Sequence, residues 1–551
     1  MTSRPPVWAA PVLWTVLLGL WGIGRQRSVW RDEAATWLVA QRSTGQIAHT
    51  LQHMDAVHGL YYLWMHVLFS CFGPGILTLR LPSVLAMTRA AACVAVIGGR
   101  LGGFRAGLAA GLALPLLPAV QYQLQDGRSY ALVAAGVGLS TLLLAALLQG
   151  RGGAGRWVAY GGVVLVTGLL HWLSLLVLPA HAVTLLWSRA GRGTWARWAG
   201  ASAGAVAGVL PLILYSRDQA GQVAWIPPLT WHTMIGPAVL LALGGLAALL
   251  TRPKVGRLSV AAVGLPLLAV PQLGLVGLSF IQPVFLDRYV VFSQLGLALL
   301  IGAVLDAGAR AAAPRLPRVS AWLVPTVVVA AVAALLPQSL AVRSPASRVD
   351  DVLAVADRVR ELRRDGDAVL FVPVFRRDAA LVSSGAFAGL RDIALTRSPA
   401  ESGTLGGEEA DPATIRTLTL AERRVLLVTD AVATGGAVPV ARDSAKLAVL
   451  REHFTVVTDE TVRGRRVTVY ERRPATELRV TWHTRCAGWS SPRLLPRARV
   501  ECDRAPSRSG DRTAVAPGPP PGGAGSHRRS TGTAQQGRRD QIGSHVAVPA
   551  W

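Results

Sequence analysis

Two adjacent carboxylates, Asp32 and Glu33, sit in the stretch Trp30-Arg31-Asp32-Glu33-Ala34, just after the first apolar run of the chain. A carboxylate is the kind of group that takes a proton from a hydroxyl. Holding an ionisable residue at a membrane interface is costly, so such a group reads first as functional. The plain alternative is an acidic loop in water, and one Asp-Glu pair does not decide between them. Its company does. Polar residues recur at the ends of later apolar runs: Asp55, His58 and Arg80, then Asp126, Arg128 and Tyr130, then His171, then Arg288 and Tyr289. Guanidinium groups match phosphate with two parallel donors, and imidazoles with a carboxylate suit a divalent metal. Each has a blander use: Arg80 and Arg288 as snorkelling side chains at helix ends, Asp126 and Arg128 as a mutual salt bridge, and His58 and His171 as ordinary hydrogen-bonding groups.

These residues need a scaffold that brings them to one face. The chain has 551 residues, 51% of them hydrophobic, and a mean hydropathy of +0.40. That composition predicts a protein spanning the membrane many times rather than one soluble domain. Eleven runs are apolar enough to cross: 7–24, 82–98, 106–121, 131–149, 157–173, 174–188, 199–215, 233–251, 258–280, 290–308 and 319–337. The first lacks a small-residue cleavage site before the polar loop and reads as an uncleaved signal anchor. The run 58–72 is apolar but short and carries Tyr61, Tyr62, Trp64 and His66, so it is expected to lie in the interface.

Charge placement orients the spans. A formal charge of +25 invites a nucleic-acid reading, but the arginines lie mainly in short loops and in the tail, so no nucleic acid is expected as a partner. With the N-terminus inside, successive cytoplasmic loops hold Arg100 and Arg105, Arg151 and Arg156, Arg189, Arg192 and Arg197, Arg252, Lys254 and Arg257, and Arg310, Arg315 and Arg318. From the second span to residue 290, the opposite loops hold only Arg128, Arg217 and Arg288. That is the positive-inside pattern. The first loop, with Arg25, Arg27 and Arg31, departs from it, and Arg89 sits within a span without an assigned role. Four cysteines form no CxxC; Cys486 and Cys502 would pair if the tail lies outside.

After Pro337 the pattern changes. Residues 349–364 have helical spacing, and 367–374, 423–430, 454–460 and 465–473 are strand-like. The expected organisation is a membrane core over 1–340, a small extracytoplasmic α/β domain over 341–475, and a disordered tail over 476–551 rich in Arg, Pro and Gly. The α/β segment has no GxGxxG and no P-loop, and every motif residue precedes Pro337, so it is expected to be separable from the site.

Asp32-Glu33 after the first span, Asp55-x-x-His58-Gly-Leu-Tyr61-Tyr62, and Leu79-Arg80-Leu81-Pro82-Ser83 together resemble the GT-C superfamily of polyprenyl-phosphate-sugar glycosyltransferases. The resemblance is to its bacterial protein O-mannosyltransferase-like and lipid A aminoarabinose transferase-like branch. Asp126-Gly-Arg128-Ser-Tyr130 is similar to the second outer motif of that family, and Phe285-x-x-Arg288-Tyr289 to its late motif, so the likeness covers about residues 7–310. Gly59 stands where the family commonly has proline, and Asp126 where it often has glutamate.

The resemblance implies a mainly α, polytopic membrane bundle of about eleven transmembrane helices with a small extracytoplasmic α/β domain. It implies transfer of a sugar, mannose being one candidate, from a polyprenyl-phosphate donor to an acceptor hydroxyl on protein, lipid or wall glycan, with inversion. Asp32 would be the base, and Glu33 would either raise its pKa or point away. Arg80, Arg128 and Arg288 would meet the phosphate, with Asp55, His58, Asp126, Tyr130 and Tyr289 lining the donor site. The only cofactor to weigh is a divalent metal at His58 and His171. The partners are the lipid-linked donor, membrane lipid and the acceptor. A transporter or lipid flippase is the rival class; it would place charge near the midplane, where only Arg89 lies. A sensor or assembly protein would account for the α/β domain but not for the loop carboxylates.

Overall fold

The computed structural model describes residues 5–24, 27–223, 225–251, 255–431 and 440–474. The tail 476–551 and the Cys486–Cys502 pairing lie outside these residues. The described residues up to Arg473 belong to one compact unit.

The chain is mainly helical and carries a small sheet near its C-terminal end. Among the described residues, seven helices are long and apolar enough to cross a membrane: Ile76–Gly102, Tyr130–Leu148, Arg192–Arg217, Trp231–Thr251, Val260–Ser279, Asp287–Ala312 and Pro317–Val342. The run expected at 106–121 is instead two helices, Phe104–Leu116 and Pro118–Leu124, set at 68° to one another. Pro115 and Pro118 explain the break, since each removes a donor from the helical ladder. The expected spans 7–24, 157–173 and 174–188 fall on shorter apolar helices, Ala9–Leu20, Ala154–Leu170 and Trp172–Trp187. By length and composition, seven or eight candidate crossings stand out among the described residues, with shorter apolar helices at three more of the expected spans.

The first polar segment is more ordered than a loop. Arg31–Ala40 and Thr44–His53 are helices, the second closed by a capping box in which Ser43 accepts from Gln46 N–H. The run 58–72 is a 14-residue helix, Gly59–Phe72. It buries Tyr61, Tyr62, Met65 and Phe69 while leaving Leu63, Trp64, Val67 and Phe72 exposed. Arg80, expected before a span beginning at 82, lies on the long helix itself, which starts at Ile76.

The four expected strands form, as Ala368–Val372, Arg424–Asp430, Phe454–Val462 and Arg465–Arg472. A two-residue strand, Arg391–Asp392, completes a five-stranded sheet. Its spatial order is Arg391–Asp392, Ala368–Val372, Arg424–Asp430, Arg465–Arg472, Phe454–Val462. The first three run parallel and the last two pair antiparallel. The helix Val352–Leu362 covers one face, capped by Asp351 on Leu353 N–H. That face does not close on itself. Val29 and Ala34, from the start of the chain, share its core with Val352, Val355, Phe371, Leu426 and Val467. Each such aliphatic side chain gains about 1.5–3 kcal/mol on leaving water, so the sheet and the helix Arg31–Ala40 are bound together by packing.

Candidate active site

Trp30 has extended backbone and caps the helix Arg31–Ala40, which puts Asp32 and Glu33 in its first turn. Acidic side chains are favoured there, where unpaired N–H groups leave a partial positive charge. Consecutive helical residues point in different directions, and these two have opposite fates.

Glu33 points inward and is fully buried. Its Oε1 accepts from Arg80 Nε at 2.7 Å and its Oε2 from Arg80 Nη2 at 2.7 Å. Gly127 N–H donates to Oε1 at 2.9 Å. A Cβ on residue 127 would stand 2.5 Å from Leu79 Cγ, so only glycine lets that N–H come so close. Ser83 Oγ donates to the Asp126 carbonyl at 2.5 Å, which clamps the long helix to the same turn. Burial opposes the charge of Glu33, but Arg80, Arg348 and the Gly127 N–H together hold its pKa below the ordinary value. The sequence reading set Arg80 among the phosphate binders and Glu33 beside the base; the structure joins them to each other.

Asp32 points toward the opening, with 16% of its side chain exposed. Arg288 Nη2 lies 3.4 Å from its Oδ2, and Arg31 Nε 3.6 Å from its Oδ1. Arg128 Nη1 donates to its backbone carbonyl at 3.2 Å. Burial raises the carboxyl pKa, and Arg128, Arg288 and Arg31 outweigh it, so Asp32 is held below the usual carboxylate range.

Arg128 is the hub between the outer segments. Its Nη2 lies 2.6 Å from His58 Nε2, and Tyr62 beside it donates to Asp55 Oδ2 at 2.8 Å. Burial lifts the pKa of Asp55, with Arg128 and the Tyr62 hydroxyl pulling it back. Burial, then Arg128 and His171, push His58 well below its ordinary pKa, which keeps the imidazole neutral. His171, Tyr130 and Tyr289 form one ring cluster, with centroids 4.8 Å apart for His171–Tyr289, 5.7 Å for Tyr130–His171 and 6.0 Å for Tyr130–Tyr289. Arg288 lies against Trp30 at 5.4 Å, Tyr289 at 5.9 Å and Trp225 at 6.0 Å.

Asp126 and Arg128 take different partners. Trp30 Nε1 donates to Asp126 Oδ1 at 2.8 Å, and Arg348 Nη1 lies 3.9 Å from the same oxygen. Burial pushes the Asp126 carboxyl up to about 6, with Arg348 lowering it and Glu33 raising it. As for a metal, His58 Nε2 already faces a guanidinium. Among the described residues, no three His, Cys, Asp or Glu side chains are grouped to hold an ion.

Several residues at the site carry no motif. Trp225 is half-exposed and stacks on Arg31 at 5.3 Å. Arg348 is fully buried and donates from Nη2 to the Gln125 carbonyl at 2.6 Å. Asp351 accepts from Val29 N–H at 3.1 Å, and Val352 N–H donates to the Val29 carbonyl at 2.7 Å. Arg348 and Asp351 follow the last span, so the segment expected to be separable from the site makes direct contacts with it. In the sequence, Asp351 falls within the charged helical run 349–364 and Arg348 just before it.

The arrangement of these elements is shared with a solved structure. ArnT from Cupriavidus metallidurans bound to undecaprenyl phosphate superimposes with a TM-score of 0.55 at 16% identity, over 84% of this chain and 97% of that one. Its apo state gives 0.52 over the same shares. The fold is similar to that of ArnT over most of both chains. No protein-family model and no curated protein matches the sequence.

Proposed function

We propose that this chain is a membrane glycosyltransferase that moves a sugar from a polyprenyl-phosphate donor to an acceptor hydroxyl, with Asp32 as general base. One observation carries the reading: a part-exposed carboxylate lies between Arg288 and Arg31, with Arg128 on the same residue's backbone carbonyl, in a fold similar to that of an enzyme whose solved structure holds undecaprenyl phosphate.

Asp32 takes the hydroxyl proton as the acceptor oxygen bonds to the anomeric carbon. The bond from that carbon to the phosphate oxygen breaks, and the lipid phosphate leaves as a monoester. Arg288 and Arg128 face the charge that develops on it. A low pKa keeps Asp32 ionised, and so able to take a proton, at neutral pH. Glu33 is held by Arg80 and Gly127, and in this reading a single displacement inverts the anomeric centre. In this reading Glu33 and Arg80 position the turn, and Asp55, His58, Asp126, Tyr130, His171 and Tyr289 shape the donor pocket. The loop charges put the site and the sheet on the extracytoplasmic face; mannose is one candidate sugar.

A lipid-flippase reading draws on a different observation. Arg89 lines an apolar cavity of about 1040 Å³ beside the helix Ile76–Gly102, with Trp64, Leu85, Leu132 and Val163. The two readings part in one experiment. Purified full-length protein is given a panel of undecaprenyl-phosphate-linked sugars and a hydroxyl acceptor. Released lipid phosphate should depend on Asp32, with Asp32→Asn losing about 10²–10⁴-fold in turnover. Transfer at near wild-type rate in Asp32→Asn removes the base. Movement of lipid across vesicles without any transfer favours the flippase. Mass spectrometry of envelope glycans from a deletion strain identifies the acceptor.

A further inference from the structure

We infer that Asp350, in the segment joining the last long helix to the sheet, holds Arg31 off Asp32 and so keeps that carboxylate free to take a proton. The inference rests on Asp32 being the base.

Arg31 Nε stands 3.6 Å from Asp32 Oδ1 and 3.9 Å from Asp350 Oδ2. Neither distance is that of a hydrogen bond; one guanidinium is shared between two carboxylates. Its plane rests on Trp225, and about a third of its side chain is exposed. Asp350, by contrast, is fixed. Arg376 Nη1 donates to its two oxygens at 3.1 and 2.9 Å, and Arg465 Nε to Oδ1 at 2.7 Å. Its own N–H donates to the Arg463 carbonyl at 2.7 Å, and its backbone sits at φ +70°, a conformation that side chains rarely adopt unaided. Arg465 is fully buried and continues to Asp378, while Arg376 continues to Asp430. Asp350 is thus one anion at the end of a rigid network that reaches into the sheet.

The charges facing Asp32 come from every element packed on it. Arg31 lies on its own helix, Arg128 on the turn before Tyr130–Leu148, and Arg288 on Asp287–Ser293. Asp55 is the facing carboxylate, Asp350 reaches Arg31, the phenols of Tyr130 and Tyr289 complete the wall, and His58 and His171 stand behind Arg128. With the charge at 350 removed, Arg31 has only Asp32 to turn to; the pair closes, and the carboxylate becomes a poorer and less accessible base.

The test uses full-length protein, a lipid-linked sugar donor it accepts, and the pH dependence of kcat/KM, whose acid limb reports the base of the free enzyme. Asp350→Asn should lower that limb by roughly 0.5–1 unit and reduce kcat several-fold, with the donor KM little changed. Arg31→Gln should move the limb the other way, upward. The double variant should behave as Arg31→Gln alone, and Asp350→Glu should restore the wild-type limb. A limb unmoved by Asp350→Asn overturns the inference, as does a loss that persists in full when Arg31 is already Gln. Should Asp350→Asn not fold, a limb that fails to rise in Arg31→Gln has the same force. Transfer that is independent of Asp32 counts against the base assignment; transfer that needs Asp32 but ignores the charge at 350 counts against this inference alone.

Discussion

Arg80 and Glu33 meet through two parallel N–H···O bonds of 2.7 Å, with neither side chain exposed to solvent. Removing one partner strands a buried charge, at a cost of about 3–5 kcal/mol. Glu33→Ala should therefore lower the thermal unfolding temperature of the purified protein sharply, while Asp32→Asn leaves it near wild type. Equal unfolding temperatures for Glu33→Ala and wild type would show that the pair does not hold the turn.

Arg288 should behave differently from Asp32. It faces the proposed leaving phosphate, so Arg288→Ala is expected to weaken binding of the lipid-phosphate donor as well as turnover, whereas Asp32→Asn spares binding. Titration of undecaprenyl phosphate into each variant measures this. Unchanged affinity in Arg288→Ala would move the phosphate elsewhere.

Asp126 gives the fold a pH signature. Its carboxyl is pushed up to about 6 by burial, above the ~3.9 of an unfolded chain. Between those values the folded state binds the extra proton, so this group adds stability as pH falls from about 6 to 4 and withdraws it as pH rises. Asp126→Asn should flatten that part of the stability–pH curve. An unchanged curve would place its pKa near the ordinary value.

Truncation separates the structure from the sequence expectation. A chain ending before residue 345 loses Arg348, Asp351 and the sheet that packs on Val29 and Ala34. It is expected to lose donor binding, while one ending at Pro474 keeps every contact just named. Donor binding by the shorter chain would restore the idea of an independent membrane core.

The orientation is checked by reporter fusions after Gly99 and after Leu340. The loop charges place the first inside and the second outside. Both reporters in one compartment would require another count of crossings.

How much of this was legible beforehand follows from where each signal resides. Hydropathy alone located the long helices, and β-branched runs located four strands, because both depend on local composition. Asp32, Asp55, His58, Arg128, Arg288 and Tyr289 do gather, as their common sidedness suggested. The roles of Glu33 and Arg80 were hidden, because a helix turns about 100° per residue and nothing in the sequence says which of two adjacent acids turns inward. Arg348, Asp350 and Asp351 were hidden for another reason: their partners lie more than two hundred residues away, at Asp126, Arg31 and Val29. The broken helix at Pro118 was marked only by prolines that membrane helices often tolerate.

The clasp between Val29 and Asp351, itself tied to Arg463, has a consequence in time. A chain made from its N-terminus at about 5–20 residues per second exposes Asp32 early. Arg463 then follows only after roughly 20–90 s more of synthesis at that pace. Until then the carboxylate has membrane helices around it but not the segment that fixes its turn. A ribosome that stops early therefore releases a product that carries Asp32 without the residues that clasp its turn, and translation to near the end of the sheet becomes a condition for completing the site.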